Sequence, residues 1–139
     1  MSGVLLDTNV ISELTRPAPA PPVVAFLNAR DDLWLSALVL HELEFGLLLL
    51  PPGRCRDALR DLLSQIVRQY EARILPVDRA AADWAARFRA EARGGGRTLD
   101  LGDALIGGTA RAHDLSLATR NVRDFEGFDL PVTNPWDSR

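Results

Sequence analysis

The stretch Val4-Leu5-Leu6-Asp7-Thr8-Asn9-Val10-Ile11-Ser12 decides the fold class. Three consecutive apolar residues read as a short strand buried on both faces, because a strand with one wet face would alternate polar and apolar positions. Asp7 ends the run. Thr8 and Asn9 are good N-cap residues for a helix over Val10 to Leu14. A charge directly after a buried strand belongs at the carboxyl edge of a sheet. Taken alone, Asp7 reads as a capping residue or as a functional carboxylate.

The same alternation continues downstream. Pro17, Pro19, Pro21 and Pro22 form a loop, and Pro22 suits the first turn of a helix over Val23 to Ala29. Leu33-Trp34-Leu35 reads as a second strand, and Ser36 caps a helix from Ala37 to Leu50, stopped by Pro51-Pro52-Gly53. Arg54 to Ala72 is amphipathic, with Leu59, Leu62, Leu63, Ile66, Val67 and Tyr70 on one face. Ile74 to Val77 is a third strand, with Pro76 marking an edge or an irregular end. Asp78 caps a helix carrying Ala81, Trp84, Ala85 and Phe88, which stops at Gly94-Gly95-Gly96, the stretch of greatest expected flexibility. A helix over Gly102 to Ala112, a strand over Leu115 to Ala118 and a strand over Leu130 to Val132 complete the pattern. Apolar strands alternating with helices predict an α/β fold with a parallel sheet covered on both faces. Ligands of such sheets bind at the carboxyl ends of the strands, where strand order reverses.

Length and composition agree with one domain over residues 1–139. The chain is 47% hydrophobic and 25% charged, ordinary values for a globular protein. A lone cysteine, Cys55, excludes an intrachain disulfide and receives no role. Asp7 interrupts the only apolar run near the start, and Leu47 to Leu50 is too short to span a bilayer, so a cytoplasmic, membrane-free protein is expected. The formal net charge is −3, which argues against holding nucleic acid by bulk charge. All 16 basic residues are arginine. The absence of lysine argues against a phosphoacceptor receiver domain, which needs a lysine at a late strand end.

The informative residues are carboxylates. Glu42 sits inside an apolar helix near the boundary of its buried face, where a carboxylate needs a partner, a metal or an exit to solvent. Glu44, two residues on, points elsewhere. Asp103 lies in the first turn of a small-residue helix, where the helix dipole favours it; Asp100 is its rival, or a cap. Gly107 and Gly108 each weaken that helix by about 1 kcal/mol against alanine, which implies close packing against a neighbour. Asp124 follows the fourth strand together with Thr119 and Asn121. The fold can bring Asp7, Glu42, Asp103 and Asp124 to one edge, where they repel one another unless cations bind. Oxygen-only ligands suit Mg²⁺ or Mn²⁺. Two such ions, about 4 Å apart, would serve phosphodiester hydrolysis. His41 and His113 form no zinc-ligand spacing, and the triple glycine lacks the lysine of a phosphate loop.

Four segments resemble, in order, the motifs of PIN-domain toxins of the VapC group. They are Leu5 to Ser12, Leu40 to Gly46, Gly102 to Ile106 and Ala118 to Phe125. Asn134-Pro135-Trp136 is similar to the close of the FitB-like branch. The resemblance implies a three-layer α/β/α fold with a central parallel sheet, and Mg²⁺- or Mn²⁺-dependent endoribonuclease activity. It implies that Asp7, Glu42, Asp103 and Asp124 ligate metal or position water, supported by Thr8, Thr119 and Asn121. It also implies the toxin half of a toxin–antitoxin pair, often dimeric, whose antitoxin carries its own DNA-binding domain. A PIN-like binding module without catalysis and a DNA-directed nuclease are the competing expectations. His41 is not assigned.

Overall fold

The computed structural model describes residues 3–137. Strand β1 (Gly3–Leu6) is buried along its whole length, as its unbroken apolar run requires. Helix α1 (Thr8–Glu13) follows without a loop. Its cap is Asp7, in extended conformation, whose side chain accepts from the Thr8 N–H; Thr8 and Asn9 are the first helical residues rather than the caps expected from the sequence. Helix α2 (Pro21–Asn28) starts on two prolines, which need no N–H partner in a first turn. Strand β2 (Leu33–Ser36), helix α3 (Ala37–Leu48) and helix α4 (Arg54–Arg68) come next. Ser36 caps α3 through the Leu38 N–H. Then follow β3 (Ile74–Leu75), α5 (Arg79–Gly94), α6 (Leu101–Ala112), β4 (Leu115–Ala118) and β5 (Val132–Thr133).

The five strands form one parallel sheet in the order β3-β2-β1-β4-β5. The chain leaves β1 toward β2 and β3, then returns across them to β4. Right-handed crossovers therefore put α1 to α4 on one face and α5 and α6 on the other, the three-layer α/β/α arrangement. Order reverses between β1 and β4, paired from Gly3 opposite Leu115 to Leu6 opposite Ala118. The crevice beyond Leu6 and Ala118 is thus the switch point.

Several ends differ from the sequence expectation. β3 stops at Leu75, before Pro76, which has no N–H for the ladder. α4 stops at Arg68, and a 3₁₀ turn over Glu71–Arg73 replaces its last residues. Leu62, placed on the core face by periodicity, is exposed, while Leu63, Ile66 and Tyr70 are buried. β5 starts at Val132 because Leu130 turns into the core and Pro131 supplies only a carbonyl, to Leu117. The triple glycine forms a Schellman cap: Gly96, at φ +78°, takes the left-handed position, and the Arg97 N–H closes on the Ala92 carbonyl at 2.8 Å. Among the described residues, no helix is long and apolar enough to cross a membrane.

Candidate active site

The switch point opens into a cleft of about 600 Å³, lined by Asp7, Glu42 and Asp103, with Thr8 and Asn121 beside them. Each acid arrives from a different element. Asp7 is delivered by the end of β1 and is only 4% exposed. Its Oδ2 accepts from the Thr119 hydroxyl at 2.7 Å, and its Oδ1 from the Thr8 N–H at 2.7 Å. Thr119 is fully buried just past the end of β4, so this hydrogen bond ties the carboxyl ends of β1 and β4 together. Burial pushes the Asp7 carboxyl above its ordinary pKa; the bonds from Thr119 and Thr8 oppose this, and the charges of Glu42 and Asp124 add to it.

Glu42 stands on α3, and the Thr8 hydroxyl donates to its Oε1. It comes close to α6 at Gly102, where a β-carbon would lie 2.8 Å from Glu42 Oε2. Glu44 is excluded from the cleft and pairs with Arg60 at 2.9 Å on the exposed surface. Asp103 lies in the first turn of α6. Its pKa is raised to about 7, first by burial and then by the charges of Asp7, Asp100, Asp124 and Glu42. Asp100 itself caps α6 through the Gly102 N–H at 3.1 Å and is exposed. Asp124 is exposed on a 3₁₀ turn over Val122–Phe125 and does not line the cleft, yet its charge is felt at Asp7 and Asp103. Arg97 steadies that turn, donating to the Arg123 and Glu126 carbonyls at 3.1 and 2.9 Å. The Asn121 N–H donates to the Thr119 hydroxyl at 3.1 Å.

Three of the four acids singled out in the sequence therefore share one cleft, with the fourth at its margin. The chemistry of the donor set fits a hard divalent cation: the lining acids offer only oxygen, and neither histidine is among the lining residues. Among the described residues, however, no three carboxylates, histidines or cysteines converge closely enough to form a ligand group.

Sequence reasoning missed several cleft residues. Asn9 donates to the Thr119 hydroxyl at 3.3 Å and accepts from the Arg120 N–H at 3.3 Å. Glu13 is 5% exposed, accepts from the Ala20 N–H at 2.8 Å, and holds the turn between α1 and α2. Arg16 follows it, and Arg120 and Trp136 also line the cleft. Helical spacing from Asn9 through Glu13 to Arg16 was a readable signal. Nothing local joins Arg120 to Trp136.

A family model, PIN domain, matches residues 4–129. The chain belongs to the PIN-domain family. Among curated PIN relatives it is 40% identical over 136 residues to Toxin FitB of Neisseria gonorrhoeae, covering 96% of this chain and 98% of that one. It is 36% identical over 137 residues to VapC ribonuclease Y4jK of Sinorhizobium fredii, covering 96% and 98%. A solved structure of FitAB bound to an IR36 DNA fragment superposes with a TM-score of 0.89 at 37% identity, covering 98% of this chain and 97% of that chain. The five-stranded parallel sheet is thus a PIN fold, and the FitB and VapC proteins are its relatives within the family.

Proposed function

We propose that this PIN-domain protein is a metal-dependent endoribonuclease, the toxin of a type II toxin–antitoxin pair acting in the cytoplasm. The observation that carries the reading is the meeting of Asp7, Glu42 and Asp103 in one cleft at the switch point. Burial and the charge of Asp7, Asp100, Asp124 and Glu42 raise the Asp103 pKa to about 7, in keeping with a cleft that takes up positive charge. Asp7, Glu42, Asp103 and Asp124 would hold Mg²⁺ or Mn²⁺, one ion or two. When bound, such ions supply an activated water and neutralise charge on the phosphodiester.

The chain's own residues supply the frame. Thr119 and the Thr8 N–H fix both oxygens of Asp7, so this carboxylate keeps one orientation. The Thr8 hydroxyl sets Glu42, and Asn121 supports Thr119 through its backbone. The names of FitB and VapC ribonuclease Y4jK support RNA as substrate and toxicity as outcome. The FitAB structure on DNA supports a protein partner that carries the DNA-binding function, in a hetero-oligomer or around a toxin homodimer.

One observation favours a second reading, a catalytically silent PIN-like binding module: the described acids do not converge into a three-ligand group. Incubating the purified, partner-free chain with a mixed RNA pool in Mg²⁺, in Mn²⁺ and in EDTA separates the two. Cleavage that requires metal supports the nuclease. RNA retained but uncut under all three conditions supports the module.

A further inference from the structure

The cleft also carries two cations. Arg16 and Arg120 both line it. Arg16 is engaged, 3.4 Å from the Glu13 carboxylate. Arg120 is not: among the described residues its guanidinium forms no ion pair and no hydrogen bond, although its cleft contains Asp7, Glu42 and Asp103. It lies over the Trp136 ring instead, 4.9 Å from the centroid.

Both partners of that stack are fixed from below. The Arg120 N–H is held by Asn9, whose amide also reaches the hydroxyl that orients Asp7. Trp136 is set by the turn after β5, where its N–H donates to Asn134 Oδ1 at 2.9 Å. A cation held through a ring face keeps its N–H donors for another acceptor. Its planar fork matches a phosphate in bidentate fashion. An RNA strand entering an acidic cleft meets repulsion at every phosphate, and a fixed cation without a carboxylate partner relieves it.

We propose that Arg120, braced on Trp136, clamps a phosphate of the RNA strand adjacent to the cleaved bond. The inference rests on the nuclease reading and names the residues that position its substrate. Trp136 acts through Arg120 and is a positioning residue.

The test is steady-state cleavage of a single-stranded RNA oligonucleotide that the wild-type chain cuts at one mapped bond. Arg120→Ala should raise KM about tenfold, the loss of roughly one charge-assisted pair, with kcat within about twofold. Arg120→Lys should fall between, since it keeps charge and loses the fork. Trp136→Phe should stay near wild type and Trp136→Ala should approach Arg120→Ala. Neutral methylphosphonates, walked singly through the bonds flanking the cut, should raise KM for wild type at one position and leave Arg120→Ala unchanged there. A merely structural stack would shift the melting temperature and leave that phosphate scan identical in both proteins, overturning the proposal. An unchanged KM in Arg120→Ala overturns it as well, while the nuclease reading stands. A wild-type chain that cuts no RNA removes both.

Discussion

Asp103 shows how a single side chain can report the purpose of its surroundings. Its ordinary carboxyl pKa of 3.8 becomes about 7 in the fold, with burial the largest cause and four neighbouring acids behind it. A raised folded pKa means that the folded chain binds a proton that the unfolded chain has released. The metal-free protein therefore loses stability as pH rises from near 4 through about 7, and the loss is complete above that. Melting in EDTA should give a lower Tm at pH 8 than at pH 5. Asp103→Asn should raise the pH 8 value by a few degrees and flatten the slope; a slope unchanged in Asp103→Asn would remove Asp103 as its source. At this scale the acids were legible in the sequence because a charge that ends a buried strand, or opens an apolar helix, is conspicuous. Glu42 and Glu44 were separable by helix face, and Arg60 accounts for Glu44. Arg120 and Trp136 were not legible, because their relation exists only once β5 has paired beside β4.

Elements, rather than residues, decide how the acids meet. α6 carries Asp103, and its seating depends on Gly108, where a β-carbon would collide with the Ala81 carbonyl oxygen and lie 2.9 Å from the Ala85 nitrogen of α5. Helix propensity alone makes Gly108→Ala stabilising by about 1 kcal/mol. Contact with a backbone that cannot yield reverses the sign, and we expect a loss of about 1–3 kcal/mol in urea unfolding. A gain in stability would contradict the packing of α5 on α6. The sequence signalled this contact through the cost of paired glycines within a helix. Element ends were less readable. The 3₁₀ turn after α4 and the shift of β5 toward Thr133 are set by tertiary pairing, which apolar periodicity does not encode, whereas Pro76 marked the irregular end of β3. The triple glycine reads as flexible by composition, yet Gly96 and Arg97 make it an ordered cap that hands Arg97 to the turn bearing Asp124.

At the scale of the whole molecule, the doubly directed sheet explains why four separate segments serve one cleft. The reversal of order between β1 and β4 opens the crevice, and the elements that follow β1, β2 and β4, together with the start of α6, deliver to it. On the proposed reading the chain is the toxin of a pair, and a partner restrains it. Expression of the chain alone should arrest bacterial growth, and a small neighbouring reading frame should restore it by binding the chain. Unimpaired growth, with a neighbour that does not bind, would contradict the pairing. If the acidic cleft cleaves RNA with a divalent cation, Asp7, its most deeply buried acid, is indispensable. The most direct measurement is cleavage of a mixed RNA pool by purified wild type and by Asp7→Asn, matched for Tm, each with Mn²⁺ and with EDTA. We expect cutting only by wild type with Mn²⁺. Equal cutting by Asp7→Asn, or cutting that persists in EDTA, would contradict it.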